Sequence, residues 1–450
     1  MRKSILFILS LLLLGFFSCK TEGDQPQITF SGHLKNVNID SIYLILDNRE
    51  KGFPIDPDGN FSDTVNISHE GYYRFSDGRN DFPIYLIPGD QIMIEADYIN
   101  LENSLKFTGT GAIRNNFLMQ KDAKIGEILS DEKKFYNKPA EEFRNNLQQH
   151  YHHFLDNLKK IEPQVELTFY EAEKKNLHYQ YLLHLYAYVD AYAYFYNKKP
   201  QLTPEIEAEL KNIDINNEED YNSIPSYRYL VGYVLDEQLL TERLPDVVEK
   251  IKSQKIKDQF LKNLIPNIYQ NSSESDLTYA TILNNTKDKT IIEAAEEAKK
   301  KLDEIRSQPS LSFSFPNSEN EQIELSHFTG KLVYIDLWAT WCRPCFMEFP
   351  HLKKLAADYA GKDIVFLGIS IDKEDDKEIW RKVVAQQKFP FEQLFAGAES
   401  LTSNAFLSQL NIRFIPRFVL IGKDGKIISL NAPNPSQSSI RQLIDTNLAR

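Results

Sequence analysis

The spacing of hydrophobic and polar positions changes character twice along this chain. From Gln27 to about Leu105, apolar residues come in short runs: ITFSGHL, SIYLILD, YYRFS, FPIYLI and QIMIEAD. Their alternation and their β-branched and aromatic content predict strands. The punctuation between them, Asp56-Pro57-Asp58-Gly59 and Pro88-Gly89-Asp90, predicts turns. Residues 27–112 therefore read as a small β-sandwich. From 113 to 306 the spacing becomes helical. Phe143, Leu147, Tyr151, Phe154, Leu158 and Ile161 recur every three or four residues between Pro139 and Pro163. Thr203 and Pro204 open a further helix as cap and first-turn proline. Glu296–Lys300 and Glu297–Lys301 are i,i+4 pairs on a solvated helix ending near Arg306. Pro309 marks the next boundary, and in residues 307–450 strands and helices alternate. LSFSF, KLVYIDLW, DIVFLGISID and RFVLIG read as strands, with helices from Cys342 to about Tyr359 and over KEIWRKVVAQQ. Lys423-Asp424-Gly425 joins RFVLIG to KIISL as a hairpin, and Ser436 caps a last helix. This block is α/β, with a parallel centre and an antiparallel edge. The fold class is thus multidomain: an N-terminal β-sandwich, a central all-α region and a C-terminal α/β domain.

The first 26 residues follow neither pattern. Arg2 and Lys3 precede an apolar stretch, Ile5 to Phe17, that is too short for a comfortable transmembrane helix. Ser18 and Cys19 follow at once. This resembles a bacterial lipoprotein signal, although Phe16 stands where that family prefers Leu and Phe17 where a smaller residue is usual. The resemblance implies a signal peptide over 1–18, lipid carried on Cys19 and a polar tether over 19–26. It implies a cell-envelope location facing the periplasm, and Lys20 favours the outer membrane. Composition adds two exclusions. At 42% hydrophobic and 26% charged, the chain is not one that stays largely disordered. A net charge of -12 with no basic stripe excludes nucleic acid as a partner.

Three features tempt a functional reading without carrying one. Asp56 and Asp58 suggest a calcium loop, but Ile67 stands where the bidentate Glu is needed, so a plain turn is expected. Of His150, His152 and His153, only His150 and His153 can share a helical face, and no third ligand is evident. Tyr181, Tyr188 and Tyr192 form a stripe that fits core packing with hydroxyls reaching the rim. No metal and no cofactor are expected. The cysteines are different. The chain has three, and with Cys19 lipidated the one pair left to close is Cys342–Cys345. So short a loop removes little chain entropy, which argues for redox chemistry over stapling.

The residues WCRPC at 341–345, with Ile415 and Pro416, make the last third resemble the thioredoxin superfamily, most closely the membrane-facing ResA and TlpA type of thiol–disulfide oxidoreductase. The resemblance implies that Cys342, at a helix N-terminus, is the exposed nucleophile, favoured as thiolate by the helix dipole and by Arg343. Cys345, one turn in, resolves the mixed disulfide. Asp336 occupies the place of the family's buried Asp, and Glu348 that of the ResA-type Glu. Either could relay the Cys345 proton. Pro416 matches the family's cis-proline, beside which Ile415 pairs with a substrate segment. Trp341, Arg343 and Pro344 complete the substrate-contacting set. Arg343 and Arg417, basic where these families are usually neutral or acidic, hint at an acidic face on the partner. The implied activity is reduction of disulfides in exported proteins, apocytochrome c among them, with electrons from a membrane donor of the DsbD or CcdA type. Two other readings stand beside it. One is a disulfide oxidant or isomerase. The other is a surface binding or sensing lipoprotein whose redox pair is secondary, with residues 27–306 serving recognition or spacing.

Overall fold

The computed structural model describes residues 27–46, 49–196, 198–270, 274–307, 312–397, 405–410, 414–437 and 439–449. The signal sequence, Cys19 and the tether lie outside the described residues. The chain divides into two compact units, residues 1–237 and 238–450.

The first unit opens with eight strands: β1 (Ile28–Lys35), β2 (Ser41–Ile45), β3 (Glu50–Pro54), β4 (Asn60–Val65), β5 (Gly71–Ser76), β6 (Asp81–Leu86), β7 (Gln91–Asp97) and β8 (Lys106–Gly109). They form two four-stranded sheets, ordered β4-β1-β7-β8 and β3-β2-β5-β6. Burial alternates along β7, so Ile92, Ile94 and Ala96 face the core while Gln91, Met93 and Glu95 face out. Phe30 from one sheet meets Phe53 and Phe75 from the other, with ring centroids 4.9 and 5.9 Å apart. Three strands that the hydrophobic pattern misses, β3, β4 and β8, all lie at sheet edges. An edge strand needs only one ladder and is selected for polarity, so its sequence lacks the signal of a central strand. The Asp56 carboxylate is taken up by the turn itself, accepting the N–H groups of Asp58 and Asn60 at 3.0 and 2.8 Å. Gly59 in that turn sits at φ +86°, where a Cβ would meet the Leu34 carbonyl at 2.2 Å.

Helices follow from Ala112, the longest being Ala140–Ile161 and Leu167–Tyr196. Tyr181 and Tyr188 are buried, and their hydroxyls donate to Glu209 and to the Lys138 carbonyl, each at 2.7 Å. His150 lines an apolar cavity with His184 and Phe154, and burial pushes its imidazole pKa down. His152 and His153 are exposed. Helix and sheet are joined by buried charge. Lys121 and Glu173 are both buried and paired at 2.7 Å, while Tyr72 of β5 and Asn176 donate to the same carboxylate.

In the second unit, helices run on to Ser307. A short hairpin, β9 (Ser314–Pro316) with β10 (Gln322–Glu324), precedes a five-stranded sheet. Its strands are β11 (Leu332–Trp338), β12 (Ile364–Ser370), β13 (Gln393–Phe395), β14 (Arg417–Ile421) and β15 (Ile427–Ser429), in the order β13-β12-β11-β14-β15. β11, β12 and β13 run parallel, while β14 and β15 pair antiparallel. All seven residues of β11 are buried, because helices cover both of its faces. One apolar layer holds Ile335, Leu337, Phe349 and Trp380. The other holds Tyr334, Leu352, Ile440 and Ile444. The last helix spans Ser439–Leu448, so Ser436 does not serve as its cap but lies three residues before it.

Candidate active site

The chain turns from β11 into the helix Arg343–Asp358, and both cysteines sit at that junction. Cys342 is the residue before the helix. Its Sγ accepts the Cys345 N–H at 3.2 Å, in the place an N-cap oxygen normally takes. Free N–H groups and the positive end of the helix dipole are thus aimed at this sulfur, an arrangement that favours a thiolate once the pair is reduced. Pro344 stands in the first turn, where no N–H is needed. Cys342 and Cys345 form a disulfide with S–S 1.98 Å and Cα–Cα 5.4 Å. One expectation fails here. Cys342 is only 3% exposed, not the open nucleophile anticipated. Its sulfur turns inward to Cys345 and joins the apolar layer around Phe349 and Leu407. Exposure passes to its neighbours: Trp341 is 66% exposed, and Arg343 and Pro344 are also open to solvent.

Ile415 packs against the same layer, and the Ile415–Pro416 bond is cis. From about 70 residues further along the chain, Ile415 thus joins the apolar layer that also holds the cysteine pair. Arg417 is a second correction. It is 1% exposed, its guanidinium stacked 4.6 Å from the Phe414 ring centroid, and so cannot face a partner. Arg417 opens a strand whose residues are all buried, whereas Arg343 is exposed.

Asp336 lies in the middle of β11, buried, with Oδ1 lacking a hydrogen-bond partner among the described residues. Burial pushes its pKa well above the usual carboxylate range, and the nearby Glu348 charge adds to the effect. Glu348 is three residues along the helix from Cys345, on the same face. Its carboxylate accepts the Ser436 N–H at 3.0 Å and the Ser436 hydroxyl at 2.8 Å. Glu348 thus shares a helix face with Cys345 and lies near enough to Asp336 for its charge to act there. Among the described residues, no group of three or more His, Cys, Asp or Glu side chains could hold a metal ion.

Sequence reasoning missed two supporting groups. Ser436 holds Glu348 from 88 residues away. Asp372, fully buried just past β12, accepts the Thr340 N–H at 3.0 Å, the Thr340 hydroxyl at 2.8 Å and the Ser370 hydroxyl at 2.6 Å. A signal for it existed. A charged residue directly after an apolar parallel strand lies at the carboxyl edge of the sheet, where α/β proteins build their sites.

Residues 306–444 match the Redoxin family. The C-terminal domain is a ResA-like member of the thioredoxin superfamily. The chain is 32% identical over 120 residues to the thiol-disulfide oxidoreductase ResA of Bacillus thuringiensis subsp. konkukian, covering 26% of this chain and 64% of that protein. It is 22% identical over 169 residues to ResA of Halalkalibacterium halodurans, covering 38% of this chain and 85% of that one. A crystal structure of a protein from Bacteroides vulgatus, provisionally titled a thiol-disulfide oxidoreductase, is 37% identical, with coverage of 32% and 96% and a TM-score of 0.28. These three matches cover no more than 38% of the chain. Within this domain the Cys342–Cys345 disulfide, a buried Asp336 and a cis Ile415–Pro416 bond are all present.

Proposed function

We propose that this protein is an envelope-anchored thiol–disulfide oxidoreductase that reduces disulfides in exported proteins. The observation that carries the reading is the Cys342–Cys345 disulfide at a helix N-terminus, with the raised-pKa carboxyl of Asp336 in the adjoining strand. In the reduced protein, the Cys342 thiolate attacks a substrate disulfide and expels one substrate sulfur as thiolate. Cys345 then attacks the Cys342 sulfur, releasing the second substrate sulfur and closing the intramolecular disulfide. Two electrons and two protons pass to the substrate. The Cys345 thiol must lose its proton for the second step, and Asp336, acting with Glu348, receives it. The exposed Trp341, Arg343 and Pro344, with Ile415, meet the substrate chain. Anchoring through lipid on Cys19, periplasmic exposure, apocytochrome c as a substrate class and a membrane donor of the DsbD or CcdA type belong to this proposal. They are supported by the sequence features of residues 1–20 and by the likeness to ResA.

A Cys345→Ser variant tests it. With the resolving thiol gone, Cys342 is expected to hold exported proteins as mixed disulfides, which non-reducing electrophoresis of envelope extracts resolves and thiol treatment releases. The same variant with Cys342→Ser added is the control. Equal capture by both, or by neither, contradicts the proposal.

A further inference from the structure

Two buried carboxyls flank the cysteine pair in sequence and in the sheet, and their surroundings are opposite. Asp336 has an oxygen without a hydrogen-bond partner among the described residues, whereas Asp372 is fully engaged. Both Asp372 oxygens lie 3.0 Å from the Thr340 N–H, and they also take hydroxyls from Thr340 and Ser370. The Asp372 N–H in turn donates to the Ser370 hydroxyl at 3.1 Å. The Ile371 N–H donates to the Trp338 carbonyl at 2.9 Å, so the ends of β11 and β12 are tied twice. Thr340 is two residues before Cys342, and the Cys342 N–H closes the turn on the Ala339 carbonyl at 3.0 Å. The clamp therefore acts directly on the turn that delivers the nucleophile.

We propose that Asp372 is a positioning residue that locks the Thr340 turn and fixes a negative charge behind the Cys342 sulfur, biasing the pair toward its disulfide form. That bias makes the dithiol a better electron donor. It offsets the pull toward thiolate from the helix N-terminus and from Arg343. The inference rests on the proposal that the pair cycles as a reductant. Held by the Thr340 N–H and by two hydroxyls, the Asp372 carboxyl is fixed in place relative to the Thr340 turn. The charged and titratable groups on the surrounding elements are Asp336 on β11; Arg343, Glu348, His351, Lys353, Lys354 and Asp358 on the active-site helix; Lys373, Glu374, Asp375 and Asp376 directly after Asp372; and Arg417 on β14.

The test uses residues 20–450, reduced, with the pH–rate profile of Cys342 alkylation located by mass spectrometry. Thr340 stands two positions before Cys342, so the charge is within roughly 10 Å of the sulfur. Removing it in Asp372→Asn is expected to lower the profile's midpoint by about one pH unit. It is also expected to shift the dithiol–disulfide equilibrium toward the dithiol by up to about tenfold, or about 30 mV. Thr340→Val removes one hydroxyl donor but keeps the charge, so its midpoint is expected to stay or rise. A clamp that merely holds the turn predicts the same sign for both variants, and that result overturns the inference. An unchanged midpoint and equilibrium in Asp372→Asn overturns it too. Should the Asn variant not fold, Thr340→Val decides alone, a lowered midpoint being the contrary result. A wild-type pair that does not cycle with thiol buffer at all overturns the proposed function itself. Normal cycling with an inert Asp372 overturns only the present step.

Discussion

Replacing Asp336 by Asn is expected to slow disulfide reduction by roughly 10²–10⁴-fold, the range that a positioned general acid–base group supplies. The substitution keeps shape and burial and removes only the proton-carrying capacity. Single-turnover oxidation of the dithiol by a disulfide peptide, followed from pH 5 to 9, checks it. The wild-type rate should rise through a midpoint well above the ordinary carboxylate range, since burial and then Glu348 both raise the Asp336 pKa. In the Asn variant that midpoint should vanish. Stability should move the other way. The folded pKa lies above the unfolded one, so the folded state binds the proton more tightly. The wild type is therefore favoured most below about pH 3.9, and loses up to about 1.4 kcal/mol per pH unit as pH rises toward the folded pKa. The Asn variant escapes that loss and should be the more stable protein at neutral pH, though the slower one. A variant with wild-type rates would remove Asp336 from the mechanism.

Glu173→Ala is expected to destabilise the first unit by about 3–5 kcal/mol. Lys121 and Glu173 are each buried, and the carboxylate also receives Tyr72 and Asn176. Among the described residues, truncation leaves the ammonium with Asp122 as its remaining carboxylate, 3.9 Å away, and leaves two further donors without their acceptor. Lys121→Met together with Glu173→Leu should recover most of the loss, because the uncompensated charge goes with its partner. Urea unfolding followed by far-ultraviolet circular dichroism reads the change. All three tryptophans, Trp338, Trp341 and Trp380, lie in the second unit, so their fluorescence reports that unit separately. Recovery in the double variant distinguishes a buried charge from a simple packing loss.

The contrast between these residues marks what could be read from the sequence alone. The central strands, the long helices and the WCRPC turn announce themselves through local periodicity and punctuation, which a linear chain displays. Lys121 and Glu173 look like ordinary charges on helices, and nothing near them in sequence says that each is buried against the other 52 residues away. Ser436 is likewise invisible, its partner being 88 residues distant, and Asp372 shows only its place after an apolar strand, not its Thr340 partner 32 residues away. The edge strands β3, β4 and β8 were missed because edges are selected to be polar. Cys342 and Arg417 were expected at the surface on chemical grounds, yet both are buried. Residue chemistry indicates which groups react, but accessibility is decided by neighbours that arrive from elsewhere in the chain.

The central claim is that the Cys342–Cys345 pair works as a reductant. Equilibrating residues 20–450 with defined thiol buffers, and measuring the fraction oxidised, gives its reduction potential directly. A value near or below about -270 mV, the thioredoxin range, is expected. A value near about -120 mV, that of a strong oxidant, would reverse the direction of electron flow and contradict the claim.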